Sequence, residues 1–145
     1  MSEIGTTRFT NETWSENIDW RVSHNWLNGC VYGTHRYINN NTVYGSNVFV
    51  LEMNNDTNKI MGVGKIRNKI QVGMSKHDRK IYADSFYCKY VYKGKTRIDR
   101  TELSPREKNI IRILDILVFK GATHLKRGQG ITMISNGYLN RGGGV

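Results

Sequence analysis

Cysteine occurs only twice, as Cys30 and Cys88, far apart and without Cys-x-x-Cys spacing. That scarcity excludes a disulfide framework and the paired thiolates of a zinc knuckle. His24 and His35 would complete a tetrahedral ligand set with the two thiols, but their spacing follows no standard zinc pattern. Neither a metal nor a cofactor is expected. Long apolar runs are missing as well, since no stretch approaches the roughly 20 apolar residues that span a bilayer. The opening Met1-Ser2-Glu3-Ile4-Gly5-Thr6-Thr7 has neither a basic flank nor an apolar run. The expectation is an intracellular protein with no membrane partner. Catalytic signatures are absent too: there is no Gly-x-Ser-x-Gly, His-Glu-x-x-His or P-loop, and the acidic residues are scattered singly. This points to a non-catalytic role.

What the chain does have is positive charge. Its 145 residues carry a formal net charge of +10. Residues 1–58 hold three Lys and Arg against six Asp and Glu, whereas residues 59–145 hold nineteen against six. The first part is therefore net −3 and the second net +13. Such asymmetry concentrates a positive field on part of the surface, and an anionic polymer is the partner that field attracts best. Self-repulsion at this net charge disfavours compactness, which argues that the excess serves a nucleic-acid partner, RNA or DNA. Hydrophobic content of 38% and charged content of 23% are ordinary for a globular domain. A chain this long buries about 68–70% of its unfolded surface and can build a core without staples.

The pattern divides the chain into a polar, flexible N-terminal arm at 1–13, a single globular domain at 14–135 and a flexible Gly-rich tail at 136–145. Asn47 to Met53 is an apolar, β-branched run of strand length; Asn54 to Asn58 is turn chemistry; and Lys59 to Arg67 resumes as a strand, giving a β-hairpin. Gly62 and Gly64 fall on one face of it, so that a ring, a backbone or a ligand can approach there, unless the pair marks a β-bulge. Ile81 to Tyr92, Lys93-Gly94 and Lys95 to Ile98 read as a second hairpin with a basic tip. Ser104-Pro105-Arg106-Glu107 is a capping box with Pro at the first helical position, and Gly121 supplies the stop. Ile110, Ile113, Leu114 and Leu117, widened by Ile111 and Val118, predict the core-facing stripe of that helix. Trp14 to Tyr44 holds all three tryptophans and reads as short strands or turns. A basic Gly-punctuated loop, His124 to Gly130, leads into a last strand. The expected fold is α+β: a mainly antiparallel, partly closed β-barrel with one long amphipathic helix.

On that scaffold the basic surface is assigned to Lys65, Arg67, Lys93, Lys95, Arg97, Lys126 and Arg127. Trp20, Trp26 and Tyr32 are the candidates for an aromatic pocket that stacks a base or a methylated group. The succession of an aromatic-rich segment, the strand Val48–Met53 and the crossing strand Ile60-Met61-Gly62-Val63-Gly64-Lys65-Ile66 resembles the PUA-like β-barrels, especially the EVE and YTH domains, over roughly residues 20–67. The resemblance implies a reader of nucleic acid, with a modified base held in an aromatic pocket. Val50-Leu51-Glu52-Met53-Asn54-Asn55 and His124-Leu125-Lys126-Arg127-Gly128-Gln129-Gly130 also look like small basic proteins of large DNA viruses, which would place the chain in host cytoplasm, nucleus or virion interior. The competing expectations are a packaging protein that neutralises nucleic acid without reading it, and an enzyme acting on nucleic acid.

Overall fold

In chain order the computed structural model, which describes residues 2–39, 41–135 and Tyr138, has ten regular elements. They are β1 (Ser2–Phe9), α1 (Asn11–Ser23), β2 (Cys30–Thr34), β3 (Asn47–Asn54), β4 (Lys59–Arg67), α2 (Lys76–Arg79), β5 (Tyr90–Gly94), β6 (Thr96–Asp99), α3 (Pro105–Phe119) and β7 (Thr132–Met133). Short 3₁₀ turns lie at Ser85–Cys88 and Arg100–Glu102. The fold is α+β. A mixed five-stranded sheet has the order β6-β4-β3-β1-β7, and β2 pairs with β5 in a second, small sheet. These ladders do not join into a closed barrel among the described residues.

The expected hairpin is the spine of the large sheet, with Asn47 opposite Arg67 and Asn54 opposite Lys59. The register shifts between Leu51 and Met53, so that Met61 and Gly62 together face Glu52. Such a bulge reverses which residues point to which side. Ile60 therefore joins the cluster under α3, with Leu51, Met53, Ile111, Val118 and Phe119, while Ile66 joins the opposite cluster with Val48, Val50, Phe9, Trp14 and Tyr32. Two apolar cores thus lie on the two faces of one sheet. The first is covered by α3, the second by α1 and the β2–β5 pair.

Four expectations need correction. The presumed arm is β1, which runs parallel to β3 and antiparallel to β7. Its Gly-Thr-Thr centre is polar in composition but is buried: Thr6 is wholly enclosed, as a β-branched residue between two strands can be when its hydroxyl finds an acceptor. Next, α1 stands where strands or turns were expected, closed by a capping box between Thr10 and Thr13. Its buried residues are Trp14, Asn17, Trp20 and Arg21, and two polar residues in the core-facing stripe erase the apolar period by which a helix is read. The second hairpin does not form, because β5 pairs with β2 and β6 with β4. The chain crosses between sheets at Lys95. Finally α3 is rotated from its predicted stripe: Ile111 and Val118 are buried, while Ile110 and Ile113 are exposed. Its capping box is as expected, with the Ser104 side chain accepting from the Glu107 amide at 3.2 Å and Glu107 from Ser104 at 2.9 Å. The expected tail lies outside the described residues apart from Tyr138.

Candidate nucleic-acid interface

The glycine face of β4 is filled from within the chain. A Cβ on Gly64 would overlap the Tyr32 hydroxyl, and one on Gly62 would sit 2.7 Å from an Arg97 guanidinium nitrogen. Into that space β3 sends Glu52, the lone carboxylate of an apolar strand. Its Oε2 accepts from the Tyr32 hydroxyl at 2.6 Å, and its two oxygens accept from Arg97 Nε at 3.0 Å, with a third contact from Nη2 at 2.8 Å. Arg97 Nη1 also meets Asp99 at 3.0 Å. Burial pulls the Arg97 pKa down, but Glu52 and Asp99 outweigh it and raise it above the usual guanidinium value. The Tyr32 hydroxyl is pushed well up, by burial first and the Glu52 charge second. Two cations lie near Trp14, with the Arg21 carbon 5.4 Å and the Arg97 carbon 5.1 Å from its ring centre. This network is a polar core.

Two assignments from the sequence change accordingly. Arg97 does not belong to the basic surface: its side chain is 4% exposed and is committed to Glu52 and Asp99. Tyr32 is not a pocket residue, because it is enclosed between the sheets and bonded to Glu52. Trp20 is buried too, stacked on His24 at 3.9 Å with its indole N–H donating to the Asp78 carbonyl at 2.8 Å.

Trp26 is different. It is half-buried on the turn that follows α1, where Asn25 takes a positive φ of 56°. The ring is fixed by its own N–H, which donates to the Cys30 carbonyl at 3.1 Å, and the backbone by a 2.7 Å bond to Arg21. The Lys93 ammonium stands 4.2 Å from its ring centre and 5.7 Å from that of Trp20. Beside it Asn25, Trp26, Leu27, Asn28, Gly29 and Lys95 line an open hollow of about 480 Å³. Two of the three proposed pocket aromatics therefore meet, at Lys93, and one of them reaches the surface.

The other basic residues fall in two places. Lys65 and Arg67 are exposed on β4, with Lys65 6.0 Å from the ring of its cross-strand neighbour Phe49. The carbonyl of Lys65 lies directly under Gly94, between Lys93 and Lys95. Lys93 and Lys95 thus border the crossing between the sheets, whereas the side chains of Lys65 and Arg67, alternating with the inward-facing Ile66, point to the α3 face. Lys126 and Arg127 do not join them. Asn55, just past the end of β3, donates to the Lys126 carbonyl at 2.9 Å, whereas Arg67 pairs with Asn47 at its start. At about 3.3 Å per residue that separation is roughly 25 Å.

The loop carrying Lys126 is anchored by Arg8, which sequence reasoning missed because it was assigned to an arm. Its guanidinium donates to the carbonyls of Leu125 at 3.0 Å and Gly130 at 2.8 Å and to the Thr132 hydroxyl at 2.9 Å. Burial alone brings its pKa down to about 10. Asn17 and Arg21 were missed for the same reason as α1. Glu52 had a partial signal, a single charge amid Val48–Met53.

Among the described residues no cluster of His, Cys, Asp and Glu is arranged to hold a metal ion, and no helix is long and apolar enough to cross a membrane. Comparison of the chain with protein-family models, curated proteins and solved structures finds no match.

Proposed function

We propose that the chain is a non-catalytic nucleic-acid-binding protein whose contact surface is the Trp26 hollow bordered by Lys93 and Lys95, with Lys65 and Arg67 as a separate basic patch on the opposite face of β4. The observation that carries this reading is the meeting of a half-exposed tryptophan with two lysines at one hollow on a chain of net charge +10. Lysines neutralise phosphates and release counterions, and an indole offers a stacking face to any base. The PUA-like reading draws support from the corner at Gly94–Lys95. There one strand segment leaves the small sheet and enters the large one, as the corner of a partly closed barrel requires. A modified base would have Trp26 as its aromatic wall, since Trp20 and Tyr32 are enclosed. Such a ligand implies an intracellular or virion-interior setting.

The test is fluorescence anisotropy with short single- and double-stranded RNA and DNA, unmodified and base-methylated, at two salt concentrations. The expected result is salt-dependent binding that weakens on Trp26→Ala. Lys93→Ala and Lys95→Ala should each lower the salt slope by about one, as expected when a single phosphate-neutralising ammonium is removed. Absence of binding to every oligonucleotide at low salt would overturn the proposal. A second reading, packaging without readout, is favoured by the scatter of the basic residues over separate surfaces, with Lys126 and Arg127 roughly 25 Å from Arg67. It requires equal affinity for all sequences, indifference to base methylation and several proteins per short duplex.

A further inference from the structure

A helix on the surface of a domain carries one apolar stripe toward the core, and a helix that is apolar on both sides is one that is covered on both. α3 has two apolar sides. Ile111, Val118 and Phe119 are buried, yet Ile110, Ile113 and Ile116 remain 50%, 66% and 59% exposed. At spacings of three residues they are neighbours on the outer half of the helix. Single exposed aliphatic residues are ordinary, but a contiguous ridge of them marks an interaction surface.

Charge is divided across α3 in the same way. Glu107, Ile111 and Asp115 are four residues apart and so share the core-facing side. The Glu107 carboxylate accepts from the Ser104 amide at 2.9 Å, and Asp115 is held by Arg100 at 2.8 Å. Both acids of the helix are thereby committed. Arg106 and Lys120, by contrast, are exposed and form no ion pair among the described residues. Arg106 lies in the first turn and Lys120 is the C-terminal cap. They stand seven residues before and after Ile113, which is one heptad, or about 10 Å, each way along the axis. Asn109, also exposed, lies between Arg106 and Ile113 on that side. The outer face therefore presents an apolar centre with a cation at each end.

The flanking charges decide what can cover this ridge. A second copy of the chain would set Arg106 against Lys120 in an antiparallel pair, and each cation against its own counterpart in a parallel one. Like charges meet in both, which disfavours self-association. The chain's own residues 139–145 bring Arg141 and no carboxylate. A bilayer matches the charge but not Asn109, a polar side chain within the ridge that a helical seam accommodates as a register-setting position. We infer that the outer face of α3 docks an acidic amphipathic helix of a partner protein. Ile110, Ile113 and Ile116 form the seam, and Arg106 and Lys120 pair with carboxylates one heptad to either side of the partner's apolar centre. This surface shares no residue with the Trp26 hollow and does not depend on nucleic-acid binding.

The test uses two synthetic helical peptides of about three heptads with the same leucine seam. One carries Glu a heptad to either side of its central leucine, the other Lys. Fluorescence anisotropy measures both against wild type, Ile113→Asp and Arg106→Glu/Lys120→Glu. All three positions are exposed, so the variants should fold, and circular dichroism checks that they do. The Glu peptide is expected to bind wild type, and the Lys peptide at least about tenfold more weakly. Ile113→Asp should lose about tenfold or more in affinity for the Glu peptide, and the charge-reversed variant should prefer the Lys peptide. No binding of the Glu peptide to wild type, equal affinity for the two peptides, or a folded charge-reversed variant that keeps the wild-type preference overturns the inference. Self-association of wild type that Ile113→Asp abolishes would assign the ridge to a second copy instead. Binding to phosphatidylcholine–phosphatidylserine vesicles that Ile113→Asp abolishes, without binding of the Glu peptide, would assign it to a lipid surface; either result overturns the inference.

Discussion

Removing the Glu52 carboxylate tests the account of the core most directly. Glu52 and Arg97 are only 1% and 4% exposed at their side chains, and Glu52→Ala would strand a guanidinium deprived of its principal partner. Removing one member of a buried pair costs about 3–5 kcal/mol, because the survivor remains desolvated. Asp99 still faces Arg97 at 3.0 Å, which places the expected loss at the lower end, about 3 kcal/mol. For a slope of about 1.5–2 kcal/mol/M in urea, the midpoint should fall by roughly 1.5–2 M with the slope unchanged. The assay is equilibrium unfolding of wild type, Glu52→Ala, Arg97→Met and the double variant. The double variant should be less destabilised than the sum of the single ones by about 2 kcal/mol, since it leaves no orphaned charge. A single-variant loss below about 1 kcal/mol, or additivity to within about 0.5 kcal/mol, would refute the idea that this pair organises the space between the sheets.

Other outcomes follow from the same geometry. Gly64→Ala places a methyl group against the Tyr32 hydroxyl and 2.7 Å from Cys30 Sγ, and should cost about 1–3 kcal/mol in urea melts, partly recovered when Tyr32→Phe removes the hydroxyl. Cys30 is buried and its pKa is pushed up to about 11, by burial first and by Glu52 second. Iodoacetamide at pH 8 should leave it unmodified in the native protein and alkylate it after unfolding, and rapid native labelling would contradict the burial. Asp99 is held below its ordinary value: burial opposes this, but hydrogen bonds from Thr101 and the charge of Arg97 outweigh it. Its contribution is fully present above about pH 4 and is lost as the pH falls through the lowered native value, so Asp99→Asn should flatten the acid limb of a stability–pH curve. Ser104→Ala removes the α3 cap and should lower stability by about 1 kcal/mol, read as a shift in urea midpoint.

The legibility of the sequence tracked how local each cause was. The hairpin at 47–67 and the capped start of α3 are set by nearby residues, through β-branched runs, Asn-rich turn chemistry and Ser104-Pro105, and both could be read directly. The glycine face of β4 was legible as a place of close approach, but that Tyr32 and Arg97 fill it depends on how two sheets meet. α1 was hidden by Asn17 and Arg21, polar residues whose burial is made acceptable by partners distant in sequence. Asn17 Nδ2 donates to the Val31 carbonyl at 2.7 Å, which no periodicity encodes. The orientation of α3 was misread for a related reason: seven apolar residues between Ile110 and Val118 specify a helix but leave open which side faces inward. Among the basic residues, charge alone could not separate Arg97 from Lys93, because the difference lies in whether a carboxylate waits inside.

The order of the strands has a consequence for how the chain assembles. β1, second from one edge of the large sheet, is made first, yet its neighbour β7 contributes Thr132 opposite Thr6, some 126 residues later. At about 5–20 residues per second of synthesis, that flank of β1 waits roughly 6–25 s for its partner. An unpaired strand edge is a template for joining another chain, and a charge pointing inward on it is a known deterrent. Arg8 is such a charge. The same guanidinium ties the C-terminal segment down once residues 125–132 are present to accept its hydrogen bonds.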